Sequence, residues 1–189
     1  MNSIFSLTTE RLILRPVSLI DAEEIYQYRS DPVTNKYQGW IPTKIEDVQD
    51  FIKNRVSDII DKNGTWFQFV ITLRQNGEII GDIGLHFFDK ENKQVEIGFT
   101  LNKKYHKKGY ANEAMAEIIK YLFNILNKHR IIASIEPGNS DSVRLVSRLN
   151  FRKEAHFRQS IFSNEQWVDD LIYAILRSEW SENNTINGA

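Results

Sequence analysis

Met115, Ile118, Ile119, Leu122, Phe123 and Leu126 recur at intervals of three and four, the apolar stripe of a long helix packed on a sheet. Just ahead of it Val95, Ile97, Phe99 and Leu101 alternate with Glu96, Gly98 and Thr100, the period of a strand with two unlike faces. Two further β-branched and aromatic runs, at 66–73 and 78–87, flank Gln75-Asn76-Gly77, where Asn-Gly predicts a tight hairpin turn with positive φ angles. The run at 10–16 reads as a first strand stopped by Pro16. Asp21-Ala22-Glu23-Glu24 opens a helix that Arg29, Asp31 and Pro32 end. Thr43-Lys44-Ile45-Glu46 has the form of a capping box, and Val48, Phe51, Ile52, Val56, Ile59 and Ile60 predict that the second helix continues to Ile60. After the long helix come a short strand at 131–136, a break at Pro137-Gly138, a helix at 142–149 and a closing hairpin around Ser163-Asn164-Glu165.

This order predicts an α+β fold with a mixed sheet of about seven strands. An antiparallel meander is followed by a strand–helix–strand–helix half, and the long helix lets the strand after it run parallel to 94–101. The 189 residues, 41% hydrophobic and 26% charged, suit one domain with a real core, assigned to 1–180, and the polar 181–189 is expected to fray as a tail. With 24 Lys+Arg against 25 Asp+Glu, no general basic field exists for direct nucleic-acid or membrane-surface binding, so an anionic partner needs a local site. Zero cysteines exclude disulfides, thiolate metal sites and a cysteine nucleophile, and suit a reducing compartment. A start without a basic, apolar leader, and no apolar run of the ~18 residues a span needs, lead to the expectation of a soluble cytoplasmic protein. His86, His129 and His156 lack ligand spacing, so no metal is expected, and no Gly-x-Ser-x-Gly points to a serine hydrolase.

The segment richest in chemistry is Tyr105-His106-Lys107-Lys108-Gly109-Tyr110-Ala111-Asn112-Glu113-Ala114, between the alternating strand and the long helix. Small residues at a helix mouth let a ligand reach the unsatisfied first-turn N–H groups at the positive end of the dipole. Lys107 and Lys108 add charge there, which makes a phosphate cradle, although a structural glycine with two solvated lysines has the same pattern. Neither a P-loop string nor Gly-x-Gly-x-x-Gly is present.

His106, Gly109 and Ala111 occupy the slots of Gln/Arg-x-x-Gly-x-Gly/Ala, and the chain here resembles the GNAT acyl-CoA N-acyltransferases. Four other segments agree in order: 9–16 with Asp21-Ala22, which is similar to the opening of the RimJ/RimL-type branch that acetylates ribosomal-protein N-termini; Glu96-Ile97-Gly98-Phe99; Asn139-x-x-Ser142-x-Arg144-Leu145; and Leu176-Arg177-Ser178-Glu179-Trp180. The resemblance implies helices on both sheet faces and a V-shaped splay between the fourth and fifth strands, attributed to a bulge at Gly98. It implies acetyl-CoA as co-substrate, held by the backbone of Phe99, Thr100 and Leu101 and by His106, Lys107, Lys108, Gly109, Tyr110, Ala111 and Asn112. Asn139 and Ser142 would meet the pantetheine arm, and a neutral His106 ring N–H would donate to phosphate. Spacing alone also fits a weak strand position for Gly98, a helix cap for Asn139 and helix packing for Ser142.

For catalysis the resemblance implies Glu96 as a base acting through water, where bare sequence also fits a solvated strand glutamate. The usual tyrosine acid is replaced by Val146, which leaves Ser142 or positioning alone to assist the leaving sulfur. A backbone N–H of the Phe99 strand would polarise the carbonyl. Tyr37 and Trp40, in the aromatic loop 37–42, are candidates for the acceptor wall as well as for plain packing. The expected reaction is direct acetyl transfer in a ternary complex to a primary amine, foremost a protein or peptide N-terminus. The alternatives are a small amine such as an amino acid, polyamine or drug, or a CoA-binding regulatory module with weak catalysis. A homodimer is compatible with the resemblance.

Overall fold

The computed structural model describes residues 5–163 and 165–180. The chain enters as two short antiparallel strands, β1 (Leu7–Thr8) and β2 (Leu12–Pro16). β2 joins β3 (Thr65–Leu73), β4 (Ile79–Phe87) and β5 (Gln94–Leu101) in an antiparallel run. β6 (Arg130–Ile135) lies parallel to β5, and the closing hairpin of β7 (Arg152–Ser163) and β8 (Gln166–Leu176) docks through β8. The sheet order is β1-β2-β3-β4-β5-β6-β8-β7. Among the described residues the sheet therefore has eight strands where the sequence predicted about seven. The extra one, β1, is two residues long and too short to show a period.

Apolar periodicity decides which helix covers which face. Met115, Ile118, Ile119 and Leu122 of α3 (Tyr110–Asn124), with Leu145 and Val146 of α4 (Ser140–Arg148), share the main core with Leu14, Phe69, Ile83 and Val95. On the opposite face, Ile25 and Tyr28 of α1 (Ala22–Arg29) and Val48 of α2 (Ile45–Asn54) pack on Val70 and Ile79. Polar contacts also tie α1 to the sheet. Asp82 of β4, 1% exposed, accepts from Tyr28 Oη at 2.5 Å, Arg29 Nε at 2.9 Å and Gln68 Nε2 at 2.5 Å. Burial opposes the Arg29 charge, but Asp82 more than offsets it and raises the guanidinium pKa, while burial and then the Asp82 charge push the Tyr28 phenol well above 10.

Three local expectations change. The second helix stops at Asn54 rather than Ile60, because Val56 is taken up by a bridge to Trp66, with Ser57 N donating to the Trp66 carbonyl at 2.7 Å. Its box closes through Asp47, which accepts from Thr43 and Lys44, rather than through Glu46. The β3–β4 connection is a five-residue loop, not a two-residue turn. Only Gly77 takes positive φ (75°), and the Leu73 carbonyl accepts from Gly77 N. The proposed tail, 181–189, lies outside the described residues.

The feature that positions the site is the separation of β5 from β6. They pair only at Gln94↔Arg130, Val95↔Ile131 and Glu96↔Ile132, while β6 keeps its pairing to β8 through Ile135↔Leu171. β6 thus follows β8 and leaves β5, and a V opens beyond Glu96. No bulge causes it: β4 and β5 pair without a shift from Phe87↔Val95 to Gly81↔Leu101. The strand phase is therefore unbroken, and Glu96, Gly98 and Thr100 share the sheet face that carries Asp82 and His86.

Candidate active site

Two connected hollows fill the V. The larger, about 780 Å³, runs from Phe99, Thr100 and Leu101 past the start of α3 to Asn139 and Arg144. The smaller, about 90 Å³, is a slot between β5 and β6 walled by Gly98, Ala133, Ser134 and Glu136. Tyr37, Gln38, Phe99, Asn139 and Ser142 border both.

At the mouth of α3 the backbone enters the left-handed region twice, at Lys107 (φ 60°) and at Gly109 (φ 82°), the N-cap. This sharp entry exposes the first-turn N–H groups to the cleft bordered by His106, Lys107, Gly109, Tyr110, Ala111 and Asn112. Lys108 is not on that wall; its ammonium sits 5.2 Å over the Tyr105 ring. Nor does a neutral His106 have a donor to spare, because its Nε2 donates to the Leu101 carbonyl at 2.9 Å. Only a protonated ring adds a second N–H.

The turn is held from a distance by a segment 97 to 104 residues away in sequence. Arg11 NH1 donates to the Lys108 carbonyl at 3.0 Å, Arg11 Nε to Glu113 Oε2 at 2.6 Å, and Thr9 Oγ1 to Glu113 Oε1 at 2.5 Å. Partial burial works against the Glu113 charge, but Thr9 and Arg11 outweigh it and hold the carboxyl below its usual value. A depressed carboxyl contributes stability that is full above its unfolded pKa of about 4.3 and is lost as pH falls through the folded value. Acid melts should therefore show wild type losing more melting temperature below about pH 4.3 than Glu113→Gln. Parallel curves would mean that the contact is energetically silent.

The V-facing edge of β5 is directed for an added strand. The Phe99 carbonyl accepts from Gln38 Nε2 at 3.3 Å and the Leu101 carbonyl from His106, so both point away from β4 into the cleft. Thr100, 4% exposed and on the cleft wall, has a buried hydroxyl without a partner among the described residues. Asn139 is a helix cap, its Oδ1 accepting from Ser142 N at 3.2 Å, and it borders both hollows as well. The Ser142 hydroxyl borders both and makes no hydrogen bond among the described residues.

Of the two acceptor candidates only Tyr37 reaches the site, packed where a Cβ on Gly138 would meet its hydroxyl at 2.9 Å. Trp40 instead stacks on Phe51 at 4.7 Å and receives the Arg29 guanidinium at 5.6 Å, so it is core packing. Glu96 borders neither hollow. It lies at the closed end of the V, half-buried, with Oε2 3.4 Å from His86 Nδ1, and that imidazole stacks on Trp66 at 4.6 Å.

Sequence reasoning gave no individual role to Gln38, Tyr105, Ser134 or Arg144 on these walls, although Gln38 stood in the aromatic loop and Arg144 in the Asn139–Leu145 segment. Tyr105 gave a signal by standing inside the motif. Its hydroxyl donates to Glu78, which pushes its pKa up to about 12. Ser134 gave none, since a serine in a short strand has no distinguishing pattern. Among the described residues no three His, Asp or Glu side chains converge as a metal site, and no helix is long and apolar enough to cross a membrane.

The splayed mixed sheet, V-facing strand carbonyls and glycine-capped, basic helix mouth together form one elongated cleft with an anion-compatible end. Residues 11–152 match the family model described as an acetyltransferase (GNAT) domain. The chain belongs to the GNAT acetyltransferases, acyl-CoA-dependent N-acetyltransferases whose co-substrate is acetyl-CoA. It is 35% identical over 177 residues to the uncharacterized N-acetyltransferase p20 of Bacillus licheniformis, covering 93% of this chain and 98% of that one. It is 28% identical over 182 residues to the ribosomal protein uS5-alanine N-acetyltransferase of Escherichia coli (strain K12), covering 93% and 92%. A solved GNAT-family acetyltransferase from Bacillus anthracis superposes with a TM-score of 0.81 at 31% identity, covering 93% of this chain and all of the other.

Proposed function

We propose that the protein acetylates the N-terminal α-amine of a protein or peptide by direct transfer in a ternary complex. The observation that carries this reading is the slot: its described wall has one carboxylate, Glu136, and is otherwise small or neutral around Gly98, Ala133 and Ser134. A single amine on a chain end fits such a wall, whereas a polycation calls for several carboxylates along its length. The uS5-alanine relative lends support from similarity. Chemistry agrees. An α-amine of pKa about 7.7–8.0 loses its proton far more readily at neutral pH than a lysine amine at about 10.4.

Bound acetyl-CoA supplies the thioester acyl carbon and the leaving thiol. The α3 mouth, with Lys107, Gly109, Tyr110, Ala111 and Asn112, holds the pyrophosphate; Lys108 and His106 support the turn rather than the ligand. The V-facing backbone of Phe99 and Leu101 takes the pantetheine amides once Gln38 and His106 swing off their carbonyls, and Asn139 stands beside the arm. An N–H of this strand polarises the thioester carbonyl. As nitrogen–carbon bond formation displaces sulfur, the amine proton passes through water to Glu96, and the free Ser142 hydroxyl hydrogen-bonds the departing thiolate. With no cysteine in the chain, no enzyme thiol carries the acetyl group.

The test is thiol release from acetyl-CoA with alanine- and serine-initiated peptides, Nα-blocked lysine peptides, spermidine and free amino acids. Preferred turnover of the free N-termini is expected. Preference for spermidine would overturn the acceptor assignment, and CoA binding without turnover on any amine would favour a regulatory module.

The cradle has its own test. Gly109→Trp fills the helix mouth and displaces Arg11 NH2, which lies 3.2 Å from the Cβ position. It should raise the acetyl-CoA Kd about tenfold or more, whereas Gly109→Ala, which shares the left-handed strain of about 1–2 kcal/mol, should raise it much less. Calorimetry showing equal affinities for Gly109→Trp and wild type would remove the phosphate assignment.

A further inference from the structure

Ser134 and Asp170 form a pair that the reaction as described does not use. Asp170, on β8, is 8% exposed and forms no ion pair among the described residues. Its one hydrogen bond there is from Ser134 Oγ, which donates to Oδ1 at 2.7 Å. Ser134 itself is exposed and walls the slot, with Gly98 across the V. A Cβ built on Gly98 meets nothing within 4 Å, so the space facing Ser134 is open. Register puts Ser134 on the same sheet face as Glu96, since Glu96 pairs with Ile132 two residues earlier in β6.

A serine hydroxyl has one proton and two lone pairs. With the proton committed to a buried carboxylate, Ser134 Oγ can only accept from whatever occupies the slot. That polarity matters to a nucleophilic amine. A freely rotating hydroxyl can donate to the nitrogen lone pair and quench it, whereas an accept-only oxygen binds an N–H and leaves the lone pair for attack.

We propose that Ser134 Oγ receives an N–H of the acceptor amine and aims its lone pair along the slot, with Asp170 as the positioning residue that fixes the hydroxyl's direction. The inference rests on the amine-transfer reading above and assigns that site its nitrogen-binding group. Asp170 acts only through Ser134, so the two should be fully coupled.

The experiment is a double-mutant cycle of Ser134→Ala, Asp170→Asn and the pair, assayed with acetyl-CoA and an alanine-initiated peptide, alongside acetyl-CoA Kd and melting temperature. Ser134→Ala should lower kcat/KM for the peptide about tenfold with acetyl-CoA Kd unchanged. Asp170→Asn should lose several-fold, and the double variant should lose no more than Ser134→Ala alone. If Ser134→Ala keeps wild-type kcat/KM, or if the two losses multiply, the pairing is overturned while acetyl transfer stands. If wild type itself transfers to no amine, the functional reading falls first and this assignment with it. Should Asp170→Asn fail to fold, Ser134→Ala against Ser134→Thr decides, because threonine keeps the hydroxyl and should rescue.

Discussion

Replacing Asp82 with alanine should lower the free energy of unfolding by about 3–5 kcal/mol, the range for removing one partner of a buried ion pair. The variant leaves the Arg29 guanidinium, the Tyr28 hydroxyl and the Gln68 amide without their shared acceptor in a nearly dry site. Arg29→Ala should cost a similar amount, because it strands the Asp82 carboxylate. The double replacement Arg29→Met with Asp82→Leu should cost less than the sum, since two charges need no longer be desolvated. Urea melts of the three variants make the comparison, and strict additivity would contradict a coupled pair. The effect should reach the active site along a short path. Asn35, fully buried, donates to the Tyr28 carbonyl at 2.6 Å and anchors the loop that carries Tyr37 and Gln38. Across the sheet Asp82 pairs in register with Thr100 on the cleft wall. Variants that keep enough fold to be assayed should therefore bind acetyl-CoA more weakly.

That clamp was not legible in the sequence, and the reason is general. Arg29 reads correctly as the end of a helix from its neighbours, but nothing local says that its partner lies 53 residues away. The same holds for Glu113, whose partners Thr9 and Arg11 lie more than 100 residues away, and for Ser134 with Asp170, 36 apart. Local patterns fared better. Met115 to Phe123 and Val95 to Leu101 fall where period predicts, because each buries one face. Period misled at Val56, where helical spacing was coincidental and a strand edge captured the residue. The V was expected at the right pair of strands but for the wrong cause. What accompanies it is unequal pairing on the two edges of β6, which stays with β8 to Ile135↔Leu171 but with β5 only to Glu96↔Ile132. Of the aromatic loop, Tyr37 lines the cleft and Trp40 is packing, a difference decided by Phe51 of α2 and therefore invisible to composition.

Glu96→Gln should lower kcat on an alanine-initiated peptide by about 10²-fold or more, the usual contribution of a positioned base, while acetyl-CoA Kd and melting temperature stay at wild-type values. The substitution keeps the shape and a hydrogen-bonding oxygen for His86 but removes the proton acceptor. Because no bulge shifts the strand, Glu96 shares the face of Gly98 and Thr100 and lies one pairing level below the slot. Because Glu96 borders neither hollow, a base role exercised through water predicts that KM for the peptide changes less than kcat. The loss should depend on the acceptor. A lysine amine, with pKa about 10.4, needs roughly 3–4 kcal/mol more help to shed its proton at neutral pH than an α-amine, so any residual lysine transfer should suffer more. Raising the pH supplies neutral amine directly and should restore part of the α-amine rate in Glu96→Gln. Rate assays from pH 6.5 to 9.5 would reveal that convergence with wild type. Parallel profiles, or an undiminished kcat, would move the base elsewhere in the V, with Glu136 on the slot wall next in line.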